Sequence, residues 1–256
     1  MSFIKESIYR FLDIVTLKKG RNHRINGCDI RLPIRYYRYY EDGYEKDTFN
    51  YFEKIIKPTD TILDIGAHIG LFSVFFSKKL SNKGRVICFE PTPGTFQILK
   101  RTVELNDLRN CTVVNAAIAD KSGSLSFNLT SKDGEGSNAN SLVQTERTVN
   151  VTEVKVFSID DYRRIEKLKI DILKIDVEGY ELNALIGAVE TFSNDKPSGI
   201  LALHPQSIKK LGQSLEQIWD VLDKYKCKVE YKGAPIEKED FCSRELLFDV
   251  EFKCTK

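Results

Sequence analysis

Four carboxylates and one histidine close short apolar runs in this chain: Asp64, Glu90, Asp176, Glu178 and His204. Ile62-Leu63 precedes Asp64, Val86 to Phe89 precedes Glu90, Ile172 to Ile175 precedes Asp176, and Ile200 to Leu203 precedes His204. If these runs are parallel strands, their carboxyl ends share one edge of a sheet, where such sheets bind ligands. Asp64 could receive a cationic or hydroxyl-bearing ligand there. Glu90 follows Gly66 at roughly the separation, about 20 residues, at which an acid meets ribose hydroxyls. The spacing of Asp176 and Glu178 fits a base for a hydroxyl, two metal-binding oxygens, or a cap and dipole partner for the next helix. His204 titrates near neutral pH. Lys174, two before Asp176, points to the same side of the strand, where it could orient an acceptor or pair with an acid.

The turn Asp64-Ile65-Gly66-Ala67-His68-Ile69-Gly70 narrows the ligand. Gly66 can take backbone angles closed to other residues, and Gly70 removes a side chain where a helix needs close approach. A pyrophosphate would want G-x-G-x-x-G, yet His68 stands where the second glycine belongs. No Lys-Ser/Thr follows Gly70, so the P-loop signature is absent as well. A carboxylate before the turn repels phosphate and suits an amine-bearing nucleoside without one. S-adenosylmethionine is such a nucleoside, and its activated methyl needs only an aligned nucleophile and, for a hydroxyl, a base.

Strands alternating with helices must hold these residues. Strands are expected over Ile62–Asp64, 85–89, 112–114, 170–176 and 198–203, with helices over 69–80, 95–106 and 180–188. Pro91 and Pro93 are expected to delay the helix after Glu90. Between 115 and 170 the rhythm breaks, and Ser124–Leu129 and Val149–Phe157 read as an inserted hairpin. Its polar tip, Ser131 to Asn140, is rich in Gly, Ser and Asn. Later come a helix over 215–225 and strands over 226–231 and 245–252. Upstream, Gly27 to Tyr40 reads as a strand or hairpin rich in Arg and Tyr, and Glu45 to Ile56 as a helix stopped by Pro58.

Composition bounds the rest. The 256 residues suit one sizeable domain with an appendage, and 39 Lys+Arg against 37 Asp+Glu leave a net charge of +2. That balance does not suggest a nucleic-acid binder. Six cysteines form no C-x-x-C pair, and Cys88 and Cys111 read as small buried thiols in a reduced, cytoplasmic chain. Ser2 to Lys19 has helix spacing and no continuous apolar core, so neither a signal peptide nor a transmembrane segment is expected. That helix packs on its own domain or makes peripheral membrane contact.

The motifs also resemble a known family. Asp64-Ile-Gly-Ala-His-Ile-Gly70 looks like the first motif of class I methyltransferases. With Phe89-Glu90-Pro91, Asn115-Ala-Ala-Ile-Ala-Asp120-Lys-Ser-Gly123 and Lys174-Ile-Asp-Val-Glu-Gly-Tyr-Glu181, the chain is similar to the FkbM-type methyltransferases over roughly Tyr44 to His204. N-terminal helices and a cap segment are expected over residues 1–57 and the methyltransferase domain over 58–256. The alternation with its inserted hairpin gives an α/β fold with helices on both faces, and the resemblance implies a seven-stranded Rossmann-like sheet with an antiparallel last strand.

Carried over position by position, it gives Gly66 and Gly70 to the methionine part, Asp64 to its amino end and Glu90 to the ribose. Asn115, Ala116 and Ala117 would flank the adenine. His68 stands where the family commonly has Asn and is expected to make a similar contact. The implied activity is O-methylation of a sugar hydroxyl in a glycan, glycolipid or glycosylated metabolite, with Asp176, Glu178 or His204 taking the proton. A protein or small non-sugar acceptor, a non-catalytic binding module and a nicotinamide reductase are the alternatives. Metal dependence stays open.

Overall fold

The computed structural model describes residues 19–131, 137, 140–144 and 146–255. The helix expected over Ser2 to Lys19 lies outside these but for its last residue, as does most of the hairpin tip. A hairpin, β1 (Arg21–Ile25) and β2 (Cys28–Leu32), leads to α1 (Lys46–Ile55). Then β3 (Thr61–Ile65), α2 (Leu71–Lys79), β4 (Arg85–Phe89), α3 (Pro93–Leu105) and β5 (Cys111–Val114) alternate. The insertion holds β6 (Ala117–Ile118), β7 (Gly123–Leu129) and β8 (Asn150–Phe157), and α4 (Ile159–Ile165) follows. Alternation resumes with β9 (Ile172–Ile175), α5 (Glu181–Ile186), α6 (Val189–Asn194), β10 (Ser198–Leu203), α7 (Pro205–Lys210) and α8 (Leu215–Lys224). The chain closes with β11 (Cys227–Tyr231), β12 (Ala234–Pro235), α9 (Lys238–Cys242) and β13 (Phe248–Cys254).

The main sheet runs β12-β11-β13-β10-β9-β3-β4-β5. Strands β5, β4, β3, β9 and β10 are parallel, and β13 is antiparallel to both neighbours. The chain leaves β3 for β4 and β5, then returns to the other side of β3 as β9. A crevice opens at such a switch point, outside the strands' carboxyl ends. Successive residues serve opposite faces: Leu63 and Ile65 join one apolar cluster with Leu173 and Ile175, whereas Ile62 joins the other with Ile172. Asp64 and Lys174 share the second face, under α2. That helix is buried from Leu71 through Ser77 because β1, β2 and α1 cover it, packing Phe49 and Phe52 on Phe72, Phe75 and Phe76.

Several details depart from the sequence expectations. The sheet has eight strands rather than seven, because the two-residue β12 pairs with the end of β11. Pro93 opens α3 instead of delaying it; the first helical position has no use for an N–H. The helix expected over 180–188 breaks at Gly187, where a Cβ would meet the Ala119 carbonyl oxygen at 2.2 Å. The segment after Leu32 folds into turns, and the last strand starts at Phe248, leaving Leu246 and Leu247 exposed. Cys227 and Cys254 lie opposite on β11 and β13 and form a disulfide, where free thiols were expected. Cys88 and Cys111 remain thiols, with their sulfurs 3.3 Å apart. Among the described residues no helix is long and apolar enough to cross a membrane.

Candidate active site

A cleft open to solvent lies at the carboxyl ends of β3, β4 and β9. Its floor is the turn after β3. The amides of Gly66 and Ala67 both donate to the Phe89 carbonyl, at 3.0 and 2.9 Å, tying the turn to β4. Gly66 has φ +79°, and a Cβ there would sit 1.9 Å from the Asp176 carbonyl oxygen, so only glycine fits between the strand ends. Gly70 serves a different contact: its missing Cβ lets α2 approach Leu99 and Thr102 of α3, outside the cleft lining.

Glu90 closes one end. Its Oε2 accepts from the His68 amide at 3.0 Å and its Oε1 from the Thr92 amide at 2.9 Å. Burial pushes its carboxyl up to about 7, against the pull of those amides. His68 has φ +50°, and its Nδ1 lies 2.8 Å from the Tyr40 hydroxyl. Asn115 stands behind, its side-chain amide donating to the carbonyls of Glu90 and Pro91, while Ala116 and Ala117 line the cleft with Ile118 and Phe127.

Asp64 is fully buried. Its Oδ2 accepts from the Ser73 hydroxyl at 2.7 Å, and its Oδ1 has no hydrogen-bond partner. Burial raises its pKa, opposed by Lys174, which lies directly opposite on β9. The Lys174 ammonium sits 3.3 Å from Asp176 Oδ2 and 5.1 Å from the Phe72 ring centre. Burial works to lower its pKa, but Asp176, Asp64, Glu45 and Asp249 outweigh that and keep it charged.

S-adenosylmethionine fits these residues. A buried carboxylate oxygen without a donor is costly and calls for one, which an amino group on the ligand would provide. Glu90 accepts from the His68 and Thr92 amides and from the Thr92 side chain, which leaves lone-pair capacity on its two oxygens for a ribose hydroxyl.

The other end holds Asp176, Glu178 and His204 together. His204 Nε2 lies 3.3 Å from Glu178 Oε2 and 3.9 Å from Asp176 Oδ1. Its Nδ1 lies 2.8 Å from Oε1 of Glu181, a carboxylate with no exposed surface that also accepts from the Gly179 amide. Burial alone would lower the His204 pKa; the Glu181 bond and the three carboxylates overcome it and push it up to about 9. Burial pushes Glu178 up to about 7, with Asp176 and Glu181 adding to it and His204 opposing. Glu178 and Asp176 line the cleft and His204 stands behind them. Asp176, Glu178 and His204 also bring three donor atoms within 4.8 Å of one another, a spacing that would hold a divalent cation.

Sequence reasoning gave no role to several residues here. Glu181 carries its signal only in a helix-opening acid two residues after Gly179; its partner lies 23 residues on. Tyr40, Tyr44 and Glu45 form a wall from the segment before α1. The insertion crosses the cleft: Asn140 reaches Thr92 Oγ1 at 3.4 Å and the Ser141 hydroxyl donates to the Glu178 carbonyl at 2.9 Å.

Known proteins share sequence and fold with this chain. The family model for the methyltransferase FkbM domain matches residues 64–231. Methyltransferase 1 of Beauveria bassiana is 25% identical over 148 residues, covering 51% of this chain and 59% of that protein. The hexuronic acid methyltransferase AglP of Haloferax volcanii is 25% identical over 198 residues, covering 73% of this chain and 77% of that protein. The crystal structure of methyltransferase FkbM from Methylobacillus flagellatus shares the fold, with a TM-score of 0.51 at 18% identity. It is matched over 85% of this chain and 50% of its own. The chain therefore spans about three-fifths of the Beauveria protein and half of the Methylobacillus one.

Proposed function

Because the chain belongs to the FkbM methyltransferase family, we propose that it is an S-adenosylmethionine-dependent O-methyltransferase acting on a sugar hydroxyl of a glycan, glycolipid or glycosylated metabolite. The observation that carries the reading is the unpartnered, buried Oδ1 of Asp64 in the same cleft as Glu178, whose carboxyl titrates near neutral pH. The first suits the donor's amino group and the second a hydroxyl acceptor. The sugar class draws support from the hexuronic acid named for the Haloferax relative.

When bound, S-adenosylmethionine supplies an electrophilic methyl. Asp64 and Glu90 would hold its amino and ribose groups, while Gly66 keeps the end of β3 against the end of β9 beneath them. Glu178 takes the hydroxyl proton, because a base works best with a pKa near the operating pH. Asp176 is engaged by Lys174, and His204, kept protonated by its three neighbouring carboxylates, forms an ion pair with Glu178 and balances its charge. A second reading comes from the donor spacing: Asp176, Glu178 and His204 would hold a divalent cation that orients the acceptor hydroxyl. Transfer assayed after exhaustive chelation separates the two, since only the second loses activity and regains it with added cation.

The proposal is tested by calorimetry with S-adenosylhomocysteine and by tritiated methyl transfer to a panel of sugar, protein and small-molecule acceptors. Binding plus label in the sugars is expected. Absence of nucleoside binding, or label confined to non-sugar acceptors, overturns it.

A further inference from the structure

We infer that Glu45 selects the acceptor: its carboxylate receives a second hydroxyl, near the one that is methylated, so the acceptor is a polyol and not an isolated alcohol. The inference rests on the O-methyltransferase reading above. Nine described residues other than glycine have positive φ, from +45° to +54°. Asp107, Lys167, Lys196 and Lys226 each stand two residues past the end of a helix, α3, α4, α6 and α8 respectively. Asn26 and Lys232 each turn a two-residue hairpin. Those are ordinary places for left-handed backbone. The remaining three, Glu45, His68 and Glu178, all line the cleft.

Nothing local favours this conformation at Glu45. It opens α1 at φ +45° and ψ +40°, where a helix-opening residue is normally extended and caps the first amides with its side chain. Glu45 makes no capping bond. Glutamate has neither the freedom of glycine nor the short side chain with which asparagine compensates. The conformation is imposed by Asn26, at the tip of the β1–β2 hairpin. The Asn26 side chain accepts from the Gly43 amide at 3.2 Å and donates to the Tyr44 carbonyl at 2.7 Å. Its backbone amide donates to Asp42 Oδ1 at 2.8 Å. The chain entering α1 is thereby fixed, and the Glu45 side chain turns into the cleft instead of capping the helix. Strain held in place by surrounding contacts is a mark of function.

The surroundings of the carboxyl name its partner. Asp176 and Lys174 act on it, which puts it at the acceptor end, beside the strand end that carries Glu178. The Tyr44 hydroxyl donates to it, and among the described residues it forms no ion pair. A carboxylate has about four acceptor sites, so capacity remains for a hydroxyl from the cleft.

The full chain and Glu45→Gly are assayed by tritiated methyl transfer to methyl hexosides and their monodeoxy counterparts. One counterpart lacks the methylated hydroxyl and cannot react. With the unmodified chain, one other is expected to fall at least about tenfold in kcat/KM. In Glu45→Gly the parent hexoside is expected to fall by a similar factor, carried by KM, and the discrimination between the two to vanish. S-adenosylhomocysteine affinity, by calorimetry, is expected to stay within about threefold. The melting temperature is expected to rise by about 2–4 °C, because glycine relieves the left-handed backbone and no capping bond is lost. Discrimination that is absent from the unmodified chain, or that persists in Glu45→Gly, overturns the inference. So does a lower melting temperature, which would assign the carboxylate to the fold. Failure of S-adenosylhomocysteine to bind the unmodified chain overturns the methyltransferase reading instead.

Discussion

Glu181 Oε1 lies 2.8 Å from His204 Nδ1, and the glutamate has no exposed surface. The bond fixes which imidazole nitrogen faces inward and leaves Nε2 toward Glu178. It also ties His204 to the stability of the fold. Its pKa of about 9 exceeds the ordinary value of 6.5, so its contribution is complete below pH 6.5 and lost as pH rises through 9. The size is on the order of 3 kcal/mol, at 1.36 kcal/mol per pKa unit. In Glu181→Gln the decline in melting temperature between pH 6.5 and 9 is expected to flatten, read by thermal unfolding across that range.

Gly66→Ala is expected to be the most damaging small substitution near the cleft. The added Cβ would lie 1.9 Å from the Asp176 carbonyl, and the residue has φ +79°. Relief needs β3 and β9 to part at their carboxyl ends. A loss of more than about 2 kcal/mol is expected in denaturant unfolding.

Asp64→Ala removes the buried oxygen assigned to the donor's amino group. Titration calorimetry is expected to show S-adenosylhomocysteine bound about 10- to 100-fold more weakly, the worth of one charged hydrogen bond. Glu90→Gln replaces a carboxylate that accepts the His68 and Thr92 amides, and a loss of about tenfold is expected. Unchanged affinity in both variants would remove these residues from the donor site.

Glu178→Gln is expected to lower kcat about 100-fold or more while S-adenosylhomocysteine affinity stays within about threefold. In the unmodified chain kcat/KM should rise with pH through about 7, because a base acts only once deprotonated. A rate profile flat from pH 6 to 8 would place the proton acceptor elsewhere.

The parallel frame was legible because strand, glycine turn and helix follow one another closely from Ile62 to Lys79. Asp64, Glu90, Asp176 and His204 share one edge because each ends a parallel strand, and a pattern of apolar runs shows that. What the pattern hides is contact between distant segments. Glu45 reaches the cleft through a left-handed residue at the start of α1, a conformation that no sequence periodicity signals. Cys227 and Cys254 meet through the register of two antiparallel strands 27 residues apart. Gly70 and Asn115 show a subtler gap. Both stand within the family-like motifs, yet the structure uses one to seat α2 on α3 and the other to brace the Glu90 loop.

The wall formed by Tyr40, Tyr44 and Glu45 lies upstream of residue 64, where the family match begins. Under the proposed function, part of the acceptor-side wall therefore lies on a stretch of chain outside the family-matched motifs. Exchange of the short leader before β3 is expected to change that wall, and through the Tyr40 hydroxyl beside His68 Nδ1 it also reaches the donor-binding turn. Two relatives with identical motifs need not share a substrate, and those that share a leader are the ones to compare.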